Sequence, residues 1–69
     1  MQKKLIQIND VAYRFTETLT MEDILLYFGF NIDIILVNYN GSLIRKSLFR
    51  KLVMQNGDSV EIITIAGGG

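Results

Sequence analysis

Thr20-Met21-Glu22-Asp23-Ile24-Leu25-Leu26-Tyr27-Phe28-Gly29 decides the fold, because its start, its repeat and its end all carry the marks of one helix. Thr20 followed three positions later by Asp23 forms a capping box with Asp in place of the usual Glu, and Glu22 and Asp23 suit the positive end of a helix dipole. Met21, Ile24, Leu25 and Phe28 recur at i, i+3, i+4 and i+7, so they form a single apolar stripe. Gly29 stands where a left-handed C-terminal cap is wanted. The spacing predicts a helix of about two and a half turns.

Outward from this helix the period changes from helical to alternating. Upstream, Lys3 to Ile8 alternates with Ile6 and Ile8 on one face, and Val11 to Thr16 resumes after Asn9-Asp10, which predicts a hairpin. Downstream, Ile34 to Tyr39 is apolar on both faces apart from Asn38, the pattern of a strand buried in the middle of a sheet. Asn40-Gly41 is a turn signal, Ser42 to Lys46 a short strand, and Ser47 to Leu52 a helical turn or irregular connection. Asn56-Gly57-Asp58 marks a second turn before a last strand, Ser59 to Ile65.

The resulting order is hairpin, helix, central strand, short strand and final strand, an α+β plan. A mixed sheet wrapped over one main helix, with the first and last strands neighbours in its middle, buries the helix stripe in a single core. That is the β-grasp, or ubiquitin-like, arrangement. The expected core is Ile6, Ile24, Leu25, Phe28, Leu36, Val60 and Ile62. The expected organisation is one domain over residues 1–65 and a flexible glycine tail over 66–69.

Composition removes most functional classes. A chain of 69 residues has a small core, and with no Cys and no His it has neither disulfides nor a Cys/His zinc site to reinforce it. The same absence excludes Ser/His and Cys/His nucleophilic dyads, and no glycine-rich loop leads into a Lys-Ser/Thr helix start. Glu22 and Asp23 are adjacent on the helix and do not share a face, which makes them helix-start charges rather than an acid/base pair. No catalytic residues and no metal ligands are therefore expected. The apolar runs Ile34–Val37 and Ile62–Ile65 are too short to cross a bilayer, and the N-terminus has no continuous apolar region of the secretory kind. The abundance of Ile and Asn is a mark of an AT-rich genome, such as that of a plastid or a low-GC bacterium.

Seven basic residues balance seven acidic ones, but unevenly along the chain: Arg45, Lys46, Arg50 and Lys51 cluster in the second half. Because the domain as a whole is not basic, this cluster fits a solvated face or an acidic protein partner better than nucleic acid.

The unusual feature is the terminus, where Gly67-Gly68-Gly69 directly follow an apolar strand. Glycine lets another surface approach the main chain closely, so a narrow channel could admit such a tail. The final carboxylate is chemically useful if a partner converts it into an acyl adenylate, which sulfur could then displace. Taken alone the glycines also fit a frayed terminus or a linker remnant.

A longer pattern accompanies the tail. Ile8-Asn9-Asp10, Thr20-Met21-Glu22-Asp23-Ile24-Leu25, Val37-Asn38, Leu43-Ile44-Arg45-Lys46-Ser47 and Asn56-Gly57-Asp58-Ser59-Val60-Glu61-Ile62-Ile63, closing on Gly67-Gly68-Gly69, together resemble the ThiS family of thiamine-biosynthesis sulfur carriers. The resemblance runs nearly end to end and departs where Ile44 stands in the position before Arg45, often a proline in the family. It implies a β-grasp fold and a protein cosubstrate rather than an enzyme. An E1-like enzyme would use ATP to adenylate Gly69, and a cysteine desulfurase-type donor system would convert it to a thiocarboxylate. Thiazole synthase would then take the sulfur. Gly68 and Gly67 would thread the partner's channel, while the carrier itself binds no cofactor.

Ordering glycines costs about 1 to 2 kcal/mol per residue, so affinity must also come from the globular surface. The candidates are Ile63 and Ile65 as apolar contacts and Arg45, Arg50 and Lys51 as steering charges. For Ile63 a second buried layer of the sheet is the competing expectation. A molybdopterin-type carrier and a β-grasp interaction module with incidental glycines are the alternative functions. The free chain is expected to be a monomer that binds neither nucleic acid nor membrane, in the cytoplasm or, if plastid-encoded, in the stroma.

Overall fold

Residues 3–65 are described by a computed structural model, in the order β1 (Lys4–Ile8), β2 (Val11–Phe15), α1 (Met21–Tyr27), β3 (Ile35–Tyr39), β4 (Ser42–Ile44) and β5 (Ser59–Thr64). Short 3-10 helices at Ile32–Ile34 and Lys46–Leu48 flank β3 and β4. The strands form one five-stranded sheet in the order β2-β1-β5-β3-β4. β1 and β5 run parallel in its middle, and the remaining neighbours are antiparallel. This is the expected mixed sheet over one main helix.

Helix α1 starts on the capping box: the Thr20 hydroxyl accepts from the Asp23 N–H at 3.1 Å, and the Asp23 carboxylate accepts from the Thr20 N–H at 2.9 Å. It ends one residue earlier than the apolar stripe, with Phe28 as its cap. There Gly29, at φ +79°, allows two closing bonds, Gly29 N–H to the Leu26 carbonyl and Phe30 N–H to the Leu25 carbonyl. Both hairpin turns, Asn9-Asp10 and Asn40-Gly41, place their two central residues at positive φ, the primed geometry whose twist matches the flanking strands.

The core lies between α1 and one face of the sheet. Ile6 and Ile8 of β1, Ile35 and Val37 of β3, and Val60 and Ile62 of β5 are buried against Met21, Ile24 and Leu25 of α1. Phe49 and Met54, from the long connection between β4 and β5, complete it. That connection is tied to the helix start, where Glu22 N–H donates to the Phe49 carbonyl at 3.0 Å and Met21 N–H to the Leu52 carbonyl at 2.8 Å. It thereby satisfies helix donors that have no partner within the helix.

Two expectations are corrected here. The stretch Ile34–Tyr39 is not buried on both faces: with one helix there is cover for one side of the sheet, so Ile35 and Val37 point inward and Leu36 points out, 41% exposed. Leu36 therefore leaves the core. Phe28 is half-buried, packed at the core margin with its ring 4.8 Å from that of Tyr13.

The turn before β5 is fixed by Asp58, a buried polar residue. Its carboxylate accepts from the Tyr39 hydroxyl at 2.8 Å, the Asn40 amide at 3.1 Å and the Gln55 N–H at 2.7 Å. Burial, and next the Asp58 carboxylate that accepts its proton, push the Tyr39 hydroxyl up to about 12.

Candidate functional site at the end of the central strand

β5 is the third strand of five, so the chain runs toward its terminus from the middle of the sheet rather than from an edge. Its last described residue is pinned, since Ile65 N–H donates to the Ile34 carbonyl at 2.8 Å. Ala66 and the three glycines follow. Gly67, Gly68 and Gly69, and the proposed division at residue 66, lie outside the described residues.

On the uncovered face of the sheet, Ile63 of β5 stands directly opposite Leu36 of β3. Ile63 is 46% exposed and Ile65 50%, so the second buried layer considered for Ile63 does not exist. Leu43 of β4, 66% exposed, pairs with Asn38 and lies diagonal to Leu36 on the same face. Four apolar side chains thus gather where β5 leaves the sheet. Leu36 and Leu43 were not among the candidates from sequence. The parity of β3 could have found Leu36, because a single helix cannot cover both faces of five strands.

The clustered basic residues lie on the segment that follows β4. Arg45 and Lys46 follow β4 at the end of the sheet from which the tail departs, and Lys46 is ion-paired with Asp33, next to Ile34. Both partners are solvent-exposed, so that pair contributes little to stability. Arg50 and Lys51, both exposed, lie within the connection, between the Phe49 and Leu52 carbonyls that cap the start of α1. Among the described residues there is no group of three or more His, Cys, Asp or Glu side chains able to hold a metal, and no helix long and apolar enough to cross a membrane.

One further feature lies beside the first half of β5. β1 ends at Ile8 beside Val60, and the chain then turns away at Asn9, whose side-chain oxygen accepts the Ile62 N–H at 2.7 Å. Beside this closure is a polar hollow of about 250 Å³, lined in part by Asn9, Asp10, Asn38, Ser59 and Glu61.

A five-stranded mixed sheet packed on one main helix, with first and last strands parallel neighbours in its middle, defines a β-grasp, ubiquitin-like protein. The chain belongs to the ThiS family, whose model matches residues 6–69, and it is in that sense a small sulfur carrier. It is 38% identical to a Trieres chinensis protein described as "uncharacterized protein ycf40", over 96% of this chain and 90% of that one. A Porphyra purpurea protein of the same description is 39% identical over 93% of this chain and 90% of its own length. The fold is shared with the crystal structure of thiamine biosynthesis protein ThiS from Geobacter metallireducens, with a TM-score of 0.79 at 22% identity, covering 94% of this chain and 99% of that one.

Proposed function

We propose that this chain carries sulfur for the thiazole moiety of thiamine, with Gly69 as the residue modified. The observation that carries the reading is that the family match runs through Gly69, so the glycines fall at its end. The carrier is a cosubstrate. A terminal carboxylate oxygen attacks the α-phosphorus of ATP on an E1-like enzyme, expelling pyrophosphate and leaving an acyl adenylate. The outer sulfur of a persulfide on a cysteine desulfurase-type donor displaces AMP, so a carbon–oxygen bond breaks as a carbon–sulfur bond forms. A partner thiol then reduces the resulting acyl disulfide, leaving the donor sulfur in a disulfide and freeing the thiocarboxylate, which gives up its sulfur at thiazole synthase.

In this reading the apolar group Leu36, Leu43, Ile63 and Ile65 is the docking surface, Gly67 and Gly68 thread the channel, and Arg45, Arg50 and Lys51 act in encounter. Residues 1–65 form the folded body and 66–69 the working tail. The site of action is the cytoplasm, or the stroma if the gene is plastid-encoded; relatives described as ycf40 support the latter.

The test incubates the purified protein with ATP, the E1-like enzyme of its own source and a sulfur donor, and follows the intact mass for exchange of one oxygen for sulfur at Gly69. Deleting Gly69 should leave the melting temperature unchanged and abolish the exchange, since one residue of extended chain is about 3.3 to 3.6 Å and far smaller misplacements of reacting atoms are costly. Gly68→Val should act similarly by adding a side chain where the channel closes on the backbone. A parent protein that gains neither adenylate nor thiocarboxylate, or a Gly69 deletion that still supports thiamine synthesis, overturns the proposal.

A further inference from the structure

β5 has neighbours on both sides for only part of its length. Toward β3, its odd-numbered positions bond: the Ser59 carbonyl accepts from Asn40 N–H at 2.8 Å, and Ile65 N–H donates to Ile34. Alternation turns the main-chain groups of Val60, Ile62 and Thr64 the other way, toward β1. The Val60 carbonyl is used by Asn9 N–H at 2.9 Å, and the Ile62 N–H by the Asn9 side chain. Beyond that point the register between β1 and β5 has ended, and the Ile62 carbonyl and the Thr64 N–H meet no partner among the described residues.

We propose that this short open edge pairs, strand to strand, with an extended main-chain segment of the adenylating enzyme. The inference rests on the carrier reading above and names how the carrier is held. Three glycines offer a partner no side chain to grip, so holding them depends on main-chain N–H and C=O groups. The Ile62 carbonyl and Thr64 N–H are among the last such groups before the tail, already aligned by the ladder to β3, so a pairing begun there continues in register toward the glycines. Ile63 projects from the same stretch onto the outer face, giving the pairing segment an apolar neighbour. Where Asn9 closes the edge, Asp10 and Glu61 are among the residues that line the hollow, and among the described residues no Lys or Arg lines it. The pairing segment is therefore an extended stretch with apolar residues along it and a Lys or Arg at the end facing Asp10 and Glu61.

The experiment compares the parent with Thr64→Pro and Thr64→Ala. Proline is tolerated at a strand position whose N–H faces outward, so Thr64→Pro removes the proposed donor without breaking a bond of the free fold. Its melting temperature should stay near that of the parent. Its KM in ATP–pyrophosphate exchange with the cognate adenylating enzyme should rise about tenfold or more, the size of one lost main-chain hydrogen bond. Thr64→Ala, which keeps the N–H, should retain the parent KM. If Thr64→Pro fails to fold, amide exchange of the parent decides: the Thr64 amide should exchange rapidly in the free protein and slow about tenfold or more in the complex.

A parent-like KM for Thr64→Pro, or an unprotected Thr64 amide in the complex, sinks the strand pairing while adenylation of the parent leaves the carrier reading intact. Protection that grows with concentration in the free protein assigns the edge to a second copy of the chain and also overturns the pairing. A parent that is never adenylated removes both proposals together.

Discussion

Ile24 and Ile63 are the same residue type on opposite sides of one sheet, and truncating each to Ala separates folding from docking. Ile24 is fully buried between α1 and the sheet. Removing its outer carbons should cost about 2 to 5 kcal/mol in lost transfer energy and cavity formation. A domain of this size is stable by only about 3 to 10 kcal/mol, and each kcal/mol moves its melting temperature by about 4 to 8 °C. Ile24→Ala should therefore melt about 8 to 40 °C lower, or not fold. Ile63 is half-exposed, opposite an equally exposed Leu36, and its truncation leaves no enclosed cavity. Its cost should be about 1 kcal/mol or less, a shift of a few degrees. Adenylation should reverse the ranking relative to stability: Ile63→Ala, well folded, should show a raised KM for the activating enzyme. Circular dichroism melts and pyrophosphate-exchange kinetics on the two variants check this. If Ile63→Ala melted as low as Ile24→Ala, the outer face would be covered in solution and the reasoning about its role would fail. If it kept the parent KM, the apolar group would not be a docking surface.

Charge reversal of Arg50 and Lys51 to Glu should slow association with the activating enzyme at low salt, with the difference closing as ionic strength rises and the Debye length shrinks below about 10 Å; equal rates at low salt would remove those residues from steering. In a tyrosinate absorbance titration, Tyr39 should ionise near 12, above the ordinary 10. Because its native pKa is raised above the ordinary 10, its contribution to stability is fully present below about pH 10 and is lost as pH rises through about 12. Asp58→Asn should lower that value only part of the way, since burial remains as a cause; no change on Asp58→Asn would sink the contribution of the Asp58 carboxylate.

The parts of the fold legible in the sequence are those specified within a few residues. The Thr20–Asp23 box, the Gly29 cap and the turns at Asn9-Asp10 and Asn40-Gly41 each carry their own geometry, and the structure realises all of them. The side of the sheet on which Leu36 lies is not local information: it depends on how many helices are available to cover five strands. Phe49 and Met54 were equally hidden, because their segment has no periodicity and is ordered by bonds to the helix start rather than by its own pattern. Asp58 was readable as a turn residue, but not as the acceptor for Tyr39 and Asn40, which are 19 and 18 positions away. At the candidate site the glycines are legible as a terminal run, whereas the apolar group of Leu36, Leu43, Ile63 and Ile65 is assembled only by the β3–β4 and β3–β5 registers.

A central strand also determines how the molecule bears load. A pull on the terminus enters through Ile65 and runs along the axis of β5, across hydrogen bonds that lie roughly perpendicular to it where the pairing is antiparallel. The ladder to β3, and farther back the shorter one to β1, must therefore slide together, whereas a terminal strand peeled sideways from an edge loses its bonds one at a time. A force applied beyond Ile65 therefore loads the sheet in shear, the direction in which it is mechanically strongest.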